Sequence, residues 1–310
     1  MSGSTGASGW TDAMDRAFLR RCFANRRISV SVAILAAVAL AAVIGPWLSP
    51  YSHDQLGPLR FAGPGAVHWG GTDLLGRDVM TRALMGARIS LLVGLFGAVV
   101  SLIIGVSYGA ISGYVGGKTD AMMMRLVDIL YSIPRLVFVI VLISVLDLQV
   151  RAALVRLGHP EWAPQAKFIL LFAGLGAVQW LAMARIVRGQ VLSLKERQFV
   201  LAARALGQGH AAIIVRHILP NLVGIVIVYL TLTIPVVILE ESLLSFLGLG
   251  VQPPMASWGT LIAQGAQTIN PVKSYWWLLV VPAAAMALTL MALNFLGDGL
   301  RDVLDPRARR

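Results

Sequence analysis

Six apolar stretches, near 28–48, 88–114, 121–147, 166–192, 221–246 and 276–298, each hold enough residues to cross a bilayer core of roughly 30 Å as a helix. Within lipid an unpaired backbone amide or carbonyl finds no water, so each stretch must satisfy its hydrogen bonds internally. The chain therefore reads as all-α, a polytopic membrane protein of six transmembrane helices. Composition points the same way. Hydrophobic residues make up 57% of the 310, charged residues 13%, and mean hydropathy is +0.76, which excludes a water-soluble globular domain.

A net charge of +11 raises the possibility of a nucleic-acid binder, but its distribution removes it. With the N-terminus placed inside, seventeen of the 26 lysines and arginines fall in inner segments, eight in outer ones, and Arg135 lies within a span. That is the positive-inside bias of a multi-pass membrane protein with both termini in the cytoplasm. The basic segment ahead of 28–48 resembles a secretory leader, yet the apolar run is too long, and Gly45-Pro46-Trp47 reads as an interfacial helix end. The first span is thus expected to stay uncleaved. The organisation expected is a cytoplasmic tail over 1–27, disordered to about residue 12, then a first helix and outer loop over 28–87. A core of five helices follows over 88–306, with a cytoplasmic connection at 195–219, and a basic tail closes the chain at 307–310. The single Cys22 rules out an internal disulfide.

Three patterns imitate catalytic sites. Gly117-Lys118-Thr119 ends like a phosphate-binding loop, but Ser112 stands where that loop needs a glycine, and an apolar helix rather than a strand precedes it. Gly105-Val106-Ser107-Tyr108-Gly109 fits a serine-nucleophile elbow, which would need a histidine at membrane depth. His53, His68, His159, His210 and His217 all fall in connections. Ser101, Gly105, Gly109 and Gly113 instead recur every four residues, a ridge of small residues that lets helices approach closely. No histidine pair has metal-ligand spacing, and Met122-Met123-Met124 reads as packing. No catalytic residue, metal or cofactor is expected, and the chain is not read as an enzyme.

Ionisable groups inside spans carry more information, since each costs about 2.5–3.5 kcal/mol at a helix centre. Arg125 and Asp128, three residues apart, can neutralise one another at the inner end of the third span. Arg135 follows Pro134 with no local partner. Glu240 and Glu241, near the outer end of the fifth span, point about 100° apart. At least one must face a polar pathway or a neighbouring protein, or pair inside the bundle. Glu241 is expected to matter to a pathway more than Glu240. An ion-coupled carrier using Glu240, Glu241 and Asp147 as relay groups is the competing membrane-transport reading.

Between the fourth and fifth spans lies the polar stretch Gln198–Asn221. Phe199, Ala203 and Leu206 fall on one helical face, Gly207 and Gly209 supply a turn, and a second helix runs through Ile213, Ile214 and Ile218 to a stop at Pro220. It is a helix-turn-helix at the membrane surface, either resting on headgroups or presenting a short apolar ridge to a partner. Ala202-Ala203, then Gly207, then Leu219-Pro220 resembles the cytoplasmic coupling loop of ABC importer permeases, although the family's leading Glu is Leu201 here and an apolar position near the end is His217.

Other segments extend that resemblance over most of the chain. Gly71-Thr72-Asp73-Leu74-Leu75-Gly76-Arg77-Asp78, with Gly86-Ala87-Arg88-Ile89-Ser90-Leu91, is similar to the signature before the second span of peptide importer permeases. Ser245-Phe246-Leu247-Gly248-Leu249-Gly250, Gln252-Pro253-Pro254 and Trp258-Gly259 resemble the loop after the fifth span. Gly297-Asp298-Gly299-Leu300-Arg301-Asp302 and Leu304-Asp305-Pro306 resemble the family's ending. The resemblance implies a type I ABC importer permease fold of the C-type peptide branch. It also implies a second homologous permease, two ATP-binding subunits, an extracytoplasmic substrate-binding protein and a peptide as partners. Leu201, Ala202, Ala203, Leu206, Gly207, Leu219 and Pro220 would form the ATPase-coupling contact, with Glu240, Glu241 and Arg135 on the translocation pathway. The outer loops 49–87 and 247–275, with Thr72 and Gln252 as contact positions, would meet the binding protein. Similar permeases carry peptides, nickel, glutathione or opines, so the family leaves the substrate open.

Overall fold

The computed structural model describes residues 22, 24–251, 255–270 and 272–304. The expected tails and Gln252-Pro253-Pro254 lie outside or almost outside that range. Six helices are long and apolar enough to cross a membrane. In chain order the helices are α1 (Arg26–Leu48), α2 (Val79–Val115), α3 (Gly117–Ser132), α4 (Arg135–Arg156), α5 (Ala166–Leu194), α6 (Gln198–Ala205), α7 (His210–Ile213), α8 (Leu219–Phe246), α9 (Trp258–Gln267) and α10 (Trp277–Leu304). No strand occurs among the described residues.

Two span boundaries differ from the hydropathy reading for identifiable reasons. The second span begins at Val79 rather than near 88, because Asp78 caps it: its carboxylate accepts from the Thr81 amide at 2.8 Å. Arg82 had hidden this turn from an apolar window, but it is buried and donates to Asp73 at 2.6 Å. The third span is not one helix over 121–147. Pro134 has no amide hydrogen and forces Ile133 out of the helical region, to φ −81° and ψ 128°, so the chain divides into α3 and α4. Within α3, Arg125 and Asp128 do not form the expected pair: Asp128 instead accepts from Arg185 on α5 at 2.7 Å.

Pro220 does not end the second helix of the surface element either. A π turn at Ile214–Ile218 joins α7 to α8, with the Leu219 amide donating to the Ile214 carbonyl five residues back. The wider turn accommodates the proline ring, and the Asn221 side chain donates to the His217 carbonyl at 2.7 Å. The apolar segment is consequently continuous from His210 to Phe246.

Packing centres on α2 against α5, the most extensive helix pair in the molecule. The small-residue ridge makes this contact. A Cβ on Gly105 would lie 2.6 Å from Met183 Cβ, on Gly109 2.4 Å from the Ala184 carbonyl, and on Gly113 2.9 Å from the Arg188 carbonyl. Ser107 of the elbow-like pattern is on the opposite, exposed face. Helices α8 and α10 pack beside this pair, and α10 also holds α1 through Gly299 on Ile28.

Candidate coupling and translocation sites

The connection 195–219 is mounted on the bundle by its buried side. Val200 and Ala203 of α6, with Ile213 and Ile218 of the following turn, join Tyr114, Met183, Val187, Val191 and Leu222 in one apolar cluster. Tyr114, at the end of α2, braces both arms of the turn: its hydroxyl meets His210 Nδ1 at 3.1 Å, and the Arg204 guanidinium stacks 5.6 Å from its ring centroid. His217 Nε2 meets Gln208 Oε1 at 2.9 Å across the turn.

Burying that side exposes the other. Leu201, Ala202, Leu206, Gly207 and Pro220 are exposed, Leu219 is half-buried, and Leu206 is 81% accessible. The single face expected for Phe199, Ala203 and Leu206 does not exist, since Ala203 packs inward while the other two point out. Helix α6 ends at Ala205, so the i+7 position is already in the turn. Gly207 sits at φ +76° with nothing within 4 Å of the place a Cβ would occupy, so it is chosen for backbone conformation and not for space.

Above this element a charge cluster unseen in the sequence fixes α3 to α5. Asp120 receives Arg188 Nε at 2.5 Å, Arg188 Nη2 at 2.6 Å and the Ser112 hydroxyl at 2.5 Å. Lys195 donates to the Gly113 carbonyl at 3.1 Å. These partners are far apart in sequence, which is why no local pattern announced them. The Arg188 guanidinium, followed by the Ser112 hydroxyl, holds the Asp120 carboxyl below the ordinary carboxylate range. The ionised form is favoured in the folded state, so its stabilisation is fully present above the ordinary carboxylate pKa and is lost as pH falls through the depressed value. Thermal unfolding of the purified subunit in detergent should show a decline below about pH 4 that Asp120→Asn flattens. An unchanged acid profile in that variant would remove Asp120 from this role.

The membrane-embedded candidates separate into two environments. Glu241 is fully enclosed: its Oε1 accepts from Ser245 at 2.5 Å and from Ser257 at 2.7 Å, tying α8 to the start of α9. Ser257 also caps α9, and neighbouring Trp258 donates to the Ala83 carbonyl at 3.0 Å. Glu240 instead turns toward Gln179 Nε2 at 2.8 Å and toward Arg135 Nη1 at 3.6 Å. Glu241 is thus the enclosed member of the pair, while Glu240, its side chain 16% accessible, pairs with the half-exposed Arg135. Asp147 pairs with Arg151 one turn away at 3.0 Å, remote in sequence and in partner from both glutamates.

At the opposite end from 195–219, the Gly71–Asp78 signature is a staple. Asp73 accepts from the amides of Leu75 and Arg77 and from the side chains of Arg77 and Arg82. Gly76 lies at φ +73°, and a Cβ there would sit 2.1 Å from the Gly57 carbonyl oxygen. Thr72 is fully buried, its hydroxyl donating to the Leu59 carbonyl, so it is not a contact position; Trp69, Leu74 and Leu75 are among the exposed residues of this loop.

Residues 105–310 match the family described as binding-protein-dependent transport system inner membrane component, and residues 15–64 match the N-terminal TM domain of oligopeptide transport permease C. The chain belongs to the first of these families. Among its relatives, the oligopeptide transport system permease protein OppC of Haemophilus influenzae is 45% identical, covering 98% of this chain and 90% of that protein. The dipeptide transport system permease protein DppC of Bacillus subtilis is 43% identical over 94% and 85% of the two chains. The OppC of Escherichia coli K12 is 42% identical over 98% and 93%. As an inner-membrane component of a binding-protein-dependent system, this subunit works with a substrate-binding protein and other ABC subunits and is not itself an enzyme. The exposed 198–209 turn and the Arg135–Glu240 pair are the features of this packing that bear on its function.

Proposed function

We propose that this subunit forms the membrane path by which oligopeptides or dipeptides, delivered by an extracytoplasmic binding protein, are driven into the cytoplasm by ATP hydrolysis on partner subunits. Near full-length identity with oligopeptide and dipeptide permeases supports the substrate class. The partners are a second homologous permease and two ATP-binding subunits, with 195–219 and both termini in the cytoplasm, as the distribution of Lys and Arg favours.

The observation that carries the mechanism is the mounting of α6 and its turn. Leu201, Ala202 and Leu206 offer a small apolar ridge to a groove on an ATP-binding subunit, while Val200 and Ala203 root the same element in the α2–α5 pair. Displacement of the ridge is then passed on as rigid-body motion, because a close-packed interface does not deform continuously. The test is uptake by proteoliposomes holding the whole complex and its binding protein. ATP-dependent accumulation of trialanine, with no accumulation of nickel or glutathione, is expected. Accumulation of nickel or glutathione instead of peptide would overturn the substrate assignment.

A further inference from the structure

The break between α3 and α4 gathers charge in the middle of the bundle. Gln179, which fixes its depth, lies near the centre of α5, roughly 20 Å along the axis from either end of that helix. Non-helical backbone at such depth persists only inside protein or beside a water-filled cavity. Arg135 stands at the break as the first residue of α4, whose N-terminus carries no side-chain cap. Its side chain is 44% accessible and touches Glu240 through one 3.6 Å contact. Tyr131 lies between two guanidinium groups, 5.7 Å from Arg135 and 4.2 Å from Arg185, and Arg185 is paired with Asp128.

This ion pair differs in kind from the structural one at Asp120, which is bidentate and short. A half-exposed arginine within a span cannot face lipid cheaply, so that face meets water or protein. A free peptide is a zwitterion. If its carboxylate takes Arg135 and its ammonium takes Glu240, the loose pair opens and every charge is still matched. Broken helices place such half-helix N-termini beside anionic groups, because the unpaired amides and the helix dipole favour negative charge there.

We propose that Arg135 with the α4 N-terminus, and Glu240 held by Gln179, are the two halves of a transient site for the charged ends of the translocating peptide. Arg185 and Asp128 repeat the pairing about 9 Å further along α5 toward the 195–219 end, as a second station. The proposal rests on the peptide-import reading. Glu240→Gln keeps a hydrogen-bonding group beside Gln179 and removes the charge.

The experiment uses the assembled complex in proteoliposomes, with one binding protein saturated by trialanine, N-acetyl-trialanine or trialanine amide. Holding the binding protein constant makes any change in relative uptake a property of the permease. Glu240→Gln should lower trialanine uptake about tenfold, the scale of one charge-assisted hydrogen bond, and leave the N-acetyl peptide near its wild-type rate. Arg135→Gln should do the same with the amide as the insensitive peptide. Variants that assemble and carry all three peptides in wild-type proportions would overturn the proposal and leave the importer reading standing. Loss of the second permease from the purified variant complex would also overturn it, since the pair would then be an interface contact. A wild-type complex that hydrolyses ATP but imports none of the three would overturn the peptide reading itself.

Discussion

Gly109→Leu leaves almost no folded subunit in the membrane, whereas Ser107→Leu, two residues away, is tolerated. The first half of that expectation follows from the α2–α5 contact. Even a Cβ at Gly109 would lie 2.4 Å from the Ala184 carbonyl, 2.9 Å from Val187 Cβ and 3.0 Å from the Arg188 amide nitrogen. Two of those three neighbours are backbone, so no rotamer change relieves the clash and the helices must part. Overpacking of a core costs about 1–3 kcal/mol when side chains can yield, and here the larger end or more applies. Separation would also strain the Asp120 cluster, where Ser112 of α2 and Arg188 of α5 meet the same carboxylate. Ser107 lies on the exposed face, where a leucine meets lipid. Membrane yield and thermal unfolding in detergent measure the difference. Equal stability of the two variants would show that the ridge does not set the helix approach.

Gly207→Val abolishes transport by a different route, with the helix bundle intact. At φ +76° a β-branched residue is strained by about 1–2 kcal/mol, and the turn between α6 and α7 relaxes by moving Leu206. Because a Cβ there meets nothing within 4 Å, the subunit itself has no clash. The defect should therefore appear as loss of peptide uptake and of ATPase-subunit co-purification, with unfolding temperature nearly unchanged. Gly207→Asn, whose residue tolerates the left-handed region, should retain much of the activity. Equal loss in both variants would mean that an added side chain, and not backbone strain, is what the partner refuses.

Fold class was legible in the sequence because lipid leaves the backbone few choices, so long apolar runs translate almost directly into helices. The small-residue ridge at 101–113 was legible for the same reason, as periodicity within one helix. Boundaries were less so wherever charge is buried by a distant partner. Arg82 looked unfit for a span because Asp73, which neutralises it, is brought near only by the loop staple. Pro134 and Pro220 show how local chemistry depends on setting: the first breaks its helix, the second is absorbed by a π turn. The pairings of Asp120 with Arg188 and Arg135 with Glu240 join separate helices, and a single sequence carries no signal for them. The order of Glu240 and Glu241 depended on which one Ser245 and Ser257 would enclose, which only the packed structure decides.

We propose that the exposed 198–209 turn is the surface on which ATP hydrolysis acts. It is tested most directly by single cysteines at Leu206 and Leu74 in a Cys22→Ser background, treated with a short bifunctional maleimide in oriented vesicles of the whole complex. Leu206→Cys should capture an ATP-binding subunit, with a yield that changes when a non-hydrolysable ATP analogue is added, and Leu74→Cys should capture the binding protein. Capture of the binding protein through Leu206→Cys, or labelling of that position only from the extracytoplasmic side, would contradict it.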